Sequence, residues 1–299
     1  EIDTLNQYNV FSDTTKWKPF GKNTIKLKVI FKAKWKTGTN GEPEFVKWKA
    51  RIVARGFSAV EGIDYDPTRV SSPVGRASSY MLTLAEAAAK DMLLFYFDIK
   101  AAYLLTKTHE EIWIELPKGL EIHDGDEGKY CRLLRYLYGL KTSGFEWHET
   151  FSKFLFESGF ERSRNDPCMF TLRTRDGNIM RMILYVDDAL CATTSESLWN
   201  EIRRSVDAKF KMSEHGPLTN ILGMSVVHDR KNKVIRINQR LKIEALLERH
   251  QMHEMTAKPL TPLAPGRKAD RADMPTNAEE EEREAALATS PRRPEGFRK

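Results

Sequence analysis

From Thr24 to Trp35 the chain alternates, with Ile25, Leu27, Val29, Phe31 and Ala33 on one side and Lys26, Lys28, Lys32 and Lys34 mostly on the other. A period of two marks a half-exposed strand. Thr37-Gly38-Thr39-Asn40-Gly41 then forms a turn and Glu44 to Val53 the returning strand, so a basic hairpin should project from the body. Residues 76–90 predict a short helix, followed by a strand over Leu93 to Phe97. Ile112 to Leu116 and Tyr130 to Leu134 predict further strands, and Phe145, Phe151, Phe154 and Leu155 form a helical stripe.

In the second half, Phe170 to Leu172 and Ile179 to Val186 flank Asp176-Gly177, a hairpin signal. A second pair of strands, Met180 to Val186 and Ala189 to Ala192, encloses Asp187-Asp188. Ser195 is placed to cap a helix carrying Leu198, Ile202 and Val206. Val226 to Ile237 predicts a hairpin turning at Lys231-Asn232-Lys233, and Leu241 to Leu247 an amphipathic helix. Adjacent strand pairs mixed with helices imply an α+β domain on an antiparallel sheet. Beyond Thr256 lie six of the thirteen prolines and the run Glu279-Glu280-Glu281-Glu282, a composition that predicts a disordered tail over 256–299.

Composition narrows the function. The 299 residues are 40% hydrophobic, yet the longest apolar runs, Met92 to Phe97 and Met182 to Val186, are far too short to span a bilayer. Glu1 to Leu5 shows no secretory signal, and the missing initiator Met suggests a fragment or a processed piece. Cys131, Cys168 and Cys191 are widely separated and fit reduced core thiols of an intracellular protein. The seven histidines make no zinc-type pair. Residues 1–57 hold twelve Lys/Arg against five Asp/Glu, a net +7, while the whole chain is +6. Trp17, Phe20, Phe31, Trp35, Phe45 and Trp48 lie among those basic groups. Such interleaving suits phosphate neutralisation and base stacking; it equally suits a solvated strand face with the aromatics turned into a core.

The chemistry concentrates at Tyr185-Val186-Asp187-Asp188, between two apolar strands. Adjacent carboxylates at a strand junction repel each other, and a divalent cation removes that penalty. Oxygen-only ligands favour Mg²⁺, with Mn²⁺ as a substitute. A second acid, Asp98, ends the apolar run Leu93-Leu94-Phe95-Tyr96-Phe97. If the two strands are neighbours, three carboxylates meet at one sheet end, as two-metal phosphoryl transfer requires. Two blander readings stand beside this: a polar Asp-Asp turn, and Asp98 as the N-cap of a helix over Lys100 to Leu104.

Six motifs, in order, resemble the reverse transcriptase of copia-type long-terminal-repeat retrotransposons. They are Lys49-Ala50-Arg51-Ile52-Val53-Ala54-Arg55-Gly56-Phe57, Glu61-Gly62-Ile63-Asp64-Tyr65, and Phe97-Asp98-Ile99-Lys100-Ala101-Ala102-Tyr103-Leu104. Leu137-Tyr138-Gly139-Leu140-Lys141, Leu184-Tyr185-Val186-Asp187-Asp188 and Ile221-Leu222-Gly223-Met224 follow. The likeness extends from about residue 1 to about residue 265.

The resemblance implies a right-hand polymerase fold: fingers mainly in 1–75, an antiparallel-sheet palm over 76–220, and a primer-grip hairpin leading into a helical thumb over 221–255. It implies Asp98 and Asp187 as principal metal ligands, Asp188 as the third acid, and a backbone carbonyl of Ile99 on the nucleotide-side metal. Lys49 and Arg51 would hold the incoming triphosphate. Tyr138, Gly139 and Lys141 would line the nucleotide side, with Tyr103 as a steric gate against a ribose 2′-hydroxyl. Tyr185, Leu222 and Gly223 would contact the primer or template. The implied partners are a primed RNA or DNA template, dNTPs, and the ribonuclease H and integrase parts of a Pol polyprotein, within a cytoplasmic virus-like particle or the nucleus. Departures from the family pattern are Glu146 in place of a basic residue near the expected template surface, and a longer stretch from Asp66 to Pro73. The family's ribonuclease H continuation also gives way to the charged tail, so a truncated nucleic-acid-binding relic without turnover is the alternative.

Overall fold

The computed structural model describes residues 1–37, 43–122, 127–250 and 252. In chain order the first elements are α1 (Ile2–Gln7), β1 (Ile25–Thr37), β2 (Pro43–Ala54), α2 (Ala77–Ala89) and β3 (Leu93–Ile99). Next come β4 (Trp113–Glu115), β5 (Tyr130–Arg132), α3 (Ser143–Glu157), β6 (Glu161–Arg162) and β7 (Met169–Arg173). Then follow β8 (Ile179–Tyr185), β9 (Asp188–Thr193), α4 (Glu196–Phe210) and β10 (Met212–Pro217). The last are β11 (Asn220–Ile221), β12 (Met224–Asp229), β13 (Val234–Asn238) and α5 (Arg240–Arg249). The chain forms two compact units, residues 1–31 with 50–238, and residues 32–49 with 239–299. The fold is α+β. No helix among the described residues is long and apolar enough to cross a membrane.

The first unit is built on a six-stranded antiparallel sheet, ordered β10-β3-β9-β8-β7-β6. Its central strands are apolar on both faces because both are covered. Phe97, Ile99, Met180, Met182, Leu184, Ala189 and Cys191 face α3 and α4 in one buried cluster. Leu94, Ile183, Leu190 and Ala192 face α2 and Val226 of β12 in another. A third cluster gathers α1, the inner parts of β1 and β2, and β4–β5, around Ile25, Leu27, Ile52, Ile114 and Cys131. β11, β12 and β13 form a small antiparallel sheet of their own. The second unit contains the outer portions of β1 and β2, where the Phe45 and Trp48 rings lie 5.8 Å apart, and α5.

Most expected elements stand where the pattern placed them. Ser195 does cap α4, its hydroxyl accepting from the Leu198 N–H at 3.3 Å. Two local readings change. Val186 is not in a strand, and Asp188 is not in a turn: β8 stops at Tyr185, β9 starts at Asp188, and Val186-Asp187 make the turn. Asp98 is not a helix cap, since it lies within β3, and the short 3₁₀ turn that follows begins after Ala101. The expected turn over 38–41 and the tail from 256 lie outside the described residues. The three thiols are free and fully buried. Burial pushes the Cys168 thiol up to about 12 and that of Cys191 higher still.

The start of α2 is capped from a distance. Arg76, at its N-cap position, makes no side-chain cap bond. Buried Asp166 instead accepts from the Arg76 N–H at 2.9 Å and the Ser79 hydroxyl at 2.5 Å with one oxygen, and from the Cys168 N–H at 2.9 Å with the other. Burial raises the carboxyl's pKa, but these hydrogen bonds outweigh it and leave the value lowered. Asp166→Ala should therefore cost about 2–4 kcal/mol in denaturant unfolding, because three donors lose their acceptor. A carboxylate with a depressed folded pKa stabilises above its unfolded pKa of about 4, and that share is lost as pH falls through the folded value. The difference between wild type and variant should thus hold from neutral pH to about 5 and shrink below 4; a pH-independent difference would refute the linkage.

Candidate active site

The acids come together through strand register. β3 and β9 are antiparallel neighbours with Asp98 directly opposite Asp188, and across β8–β9 Asp188 is opposite Tyr185. Directly paired residues project to the same face, so Asp98, Asp188 and Tyr185 share one side at one end of the sheet. Asp187 sits at the apex of the turn, where its carbonyl accepts from the Ile99 N–H at 2.9 Å. Asp98 and Asp187 are half-buried and Asp188 is exposed. Behind them the apolar run of β3 continues into the two covered faces of the sheet.

A second group stands against the acids. The Tyr103 and Tyr138 rings are 4.6 Å apart, and the Arg51 guanidinium lies 5.6 Å from the Tyr138 ring centroid. The Tyr138 hydroxyl is raised in pKa by burial first, then by Asp187, and further by Tyr103 and Asp98, with Arg51 opposing. Tyr103 is raised by burial and then by Asp187. Both carboxylates therefore act on the tyrosine pair. The Lys141 ammonium donates to the Tyr65 hydroxyl at 2.9 Å and lies 4.3 Å from that ring centroid. Leu222 and Gly223, at φ +49° and +75°, line a cleft of about 150 Å³ together with Tyr185, Asp188, Tyr80 and Tyr96. Lys49 belongs to the second unit, so its expected role rests on the resemblance alone.

The donor set at the sheet end is all oxygen, which suits Mg²⁺ or Mn²⁺. Among the described residues no group of three or more His, Cys, Asp or Glu side chains forms a ready-made metal cage.

Residues 8–265 match the family described as reverse transcriptase (RNA-dependent DNA polymerase). The chain belongs to that family. It is 35% identical over 263 residues to the retrovirus-related Pol polyprotein from transposon TNT 1-94 of Nicotiana tabacum, covering 88% of this chain and 19% of that protein. To the Pol polyprotein from transposon RE1 of Arabidopsis thaliana it is 31% identical, covering 77% and 15%. The chain thus spans about a fifth or less of the length of these curated relatives. A solved foamy viral protease–reverse transcriptase in complex with double-stranded DNA aligns over 82% of this chain and 35% of that one, at 12% identity and a TM-score of 0.39. The copia-type resemblance carried by the six motifs is borne out.

Several contacts of this reverse transcriptase region were not foreseen. Glu146 does not face a template: it is 2% exposed and pairs in bidentate fashion with Arg69, at 2.5 and 2.8 Å, with His109 at 3.5 Å. Two of the departures from the family pattern, Glu146 and the Asp66–Pro73 stretch, thus answer each other. The tie continues as the Ser72 hydroxyl donates to the Gly144 carbonyl at 3.1 Å. Trp147, just beyond the expected nucleotide-side motif, donates its indole N–H to the Val186 carbonyl. Chain-distant pairs such as these carry no periodic signal.

Gly139 has a backbone reason to be glycine. Its φ is +93°, and a Cβ there would lie 2.1 Å from the Ala54 carbonyl oxygen, while one on Gly56 would lie 2.2 Å from the Gly139 oxygen. The Ala54 N–H also donates to the Tyr138 carbonyl at 2.7 Å, so β2 runs directly against the 138–140 turn. Gly139→Ala should lower stability by about 3 kcal/mol, from positive-φ strain and overpacking together. A wild-type denaturation midpoint in that variant would show that the two backbones do not meet.

Proposed function

We propose that this chain is the catalytic core of an RNA-directed DNA polymerase that extends a primer on an RNA or DNA template. The observation that carries the reading is the facing of Asp98 and Asp188 on adjacent strands, with Asp187 bonded to Ile99 beside them. The coupling of both Asp98 and Asp187 to Tyr138 supports the same assembly. In this reading Asp98 and Asp187, with Asp188 and the Ile99 carbonyl, would hold Mg²⁺, which supplies charge neutralisation and polarises the phosphates. The primer 3′-hydroxyl attacks the α-phosphorus of a dNTP and pyrophosphate leaves. Arg51, exposed beside Tyr138, offers a planar fork of donors suited to a triphosphate. Tyr138 and Gly139 form the floor beneath the nucleotide.

Hand-like subdivision follows from this reading: β1 and β2 as fingers, the six-stranded sheet as palm, the β11–β13 sheet with Leu222-Gly223 as primer support, and α5 as the start of the thumb. The basic segment supports template contact too. Trp17 is 82% exposed, Phe20 fully exposed and Trp48 68% exposed, so these rings are not core residues and are open to bases. Ribonuclease H and integrase activities would reside in other parts of a Pol polyprotein.

Primer extension on RNA and DNA templates, with and without Mg²⁺, is the direct test. Asp98→Asn and Asp187→Asn should each lower kcat by about 10³-fold without moving the thermal midpoint, and Asp188→Asn by less. Extension at the wild-type rate by Asp187→Asn would end the two-metal assignment. Absence of synthesis by the wild-type chain with retained duplex binding would return the relic reading.

Sugar selection gives a separate test. Tyr103 is half-buried against Tyr138, and an aromatic ring there fills the space that a 2′-hydroxyl would need. Tyr103→Ala should keep dNTP incorporation and raise the ribonucleotide-to-deoxynucleotide kcat/KM ratio on the order of tenfold or more. A folded, active variant that still rejects ribonucleotides would remove Tyr103 from this role.

A further inference from the structure

The turn that carries Asp187 is held in an unfavourable backbone state. Val186 has φ +59°. A β-branched side chain at positive φ crowds its neighbouring carbonyl and is an outlier. Two-residue hairpin turns meet this need with glycine or asparagine, and Val186 is neither. Such conformations persist only where the surroundings over-determine them.

The surroundings here do so from two directions. From α3, the Trp147 indole N–H donates to the Val186 carbonyl at 2.6 Å. From β3, the Ile99 N–H donates to the next carbonyl, that of Asp187, at 2.9 Å. Trp147 is itself immobilised: it is 2% exposed, with the Phe151 and Phe210 rings at 5.4 and 5.5 Å. A buried indole N–H needs an acceptor, and those aromatic neighbours supply none.

We propose that Trp147 is a positioning residue that clamps the Val186-Asp187 turn in its left-handed conformation and so aims the Asp187 carboxylate at the site it shares with Asp98. The aromatic cluster between α3 and α4 thereby sets the geometry of the acids without touching substrate. The proposal rests on the polymerase reading for its catalytic consequence, while the clamp itself is measurable without turnover.

The experiment removes the donor in two ways. Trp147→Phe keeps an aromatic ring, and replacement of Trp147 by 3-benzothienylalanine keeps the tryptophan shape with sulfur in place of N–H. Trp199→Phe is the control, because Trp199 belongs to the same cluster, stacked on Phe95 at 4.5 Å. Hydrogen exchange of the full chain is followed by mass spectrometry over peptides spanning 182–190 and 97–101, without metal or nucleotide. Exchange there should rise about tenfold in both Trp147 variants, the factor expected for one hydrogen bond, and stay at the wild-type level in Trp199→Phe. Mn²⁺ affinity by calorimetry and kcat in primer extension should each fall about tenfold, with dNTP KM within about twofold of wild type. Wild-type exchange in the benzothienylalanine chain, which differs at one donor atom and retains the packing, would overturn the clamp. An equal rise in Trp199→Phe would overturn it too, by making lost packing the cause. If exchange rises as expected and wild-type chain extends no primer, the clamp stands and the polymerase reading falls.

Discussion

Asp98 and Asp188 face each other across two hydrogen-bonded strands, and like charges in that relation repel. The rest of the structure answers this repulsion. A flexible sheet end would let the carboxylates swing apart, so the strands that bring them together have to be stiff. β3 and β9 are stiff because both faces are buried, one under α3 and α4, the other under α2. That is why β3 reads as a continuous apolar run rather than an alternating one. Asp98 lies near the end of that run, where it is half-buried, and Asp188 opposite it is exposed.

Around this rigid end, the neighbouring loops are fixed by a few long-range contacts rather than by regular structure. The 51–72 segment is joined to the 138–146 segment at several points, among them backbone against backbone at Gly56 and Gly139, the Lys141–Tyr65 and Ser72–Gly144 hydrogen bonds, and the Arg69–Glu146 pair. Burying Glu146 would be costly without a partner, and the bidentate guanidinium supplies one. Tyr103 and Tyr138 stand next to this seam, which ties the ring geometry of the expected nucleotide pocket to the same contacts.

The parts of this architecture that the sequence reveals are those encoded by neighbours in the chain. Alternation located β1, whose face is written in every second residue, while apolar runs set off by turn signals located β2, β8, β9 and the β12–β13 hairpin. The strand–turn–strand setting of Tyr185 to Asp188 was legible too, though on its own the pair of acids fitted a polar turn as well as a metal site. What escaped is what depends on partners far along the chain. Val186 looked like the last residue of a strand, since a valine gives no hint of positive φ; the bonds that reach this turn come from Trp147, thirty-nine residues earlier, and from Ile99 on another strand. Glu146 looked like a surface anomaly for the same reason, its partner Arg69 lying seventy-seven residues away. The exposed aromatics of the first segment were undecidable from pattern, because alternation defines two faces without saying which one meets a core.

The buried thiols have a practical consequence. Alkylating reagents and disulfide exchange both require a thiolate, and Cys168 and Cys191, driven well above the ordinary thiol range by burial, supply almost none at neutral pH. With Cys131 equally enclosed, the folded chain is chemically cysteine-silent toward maleimides. A single cysteine introduced on the surface could therefore carry a fluorophore or spin label while all three native cysteines remain in place.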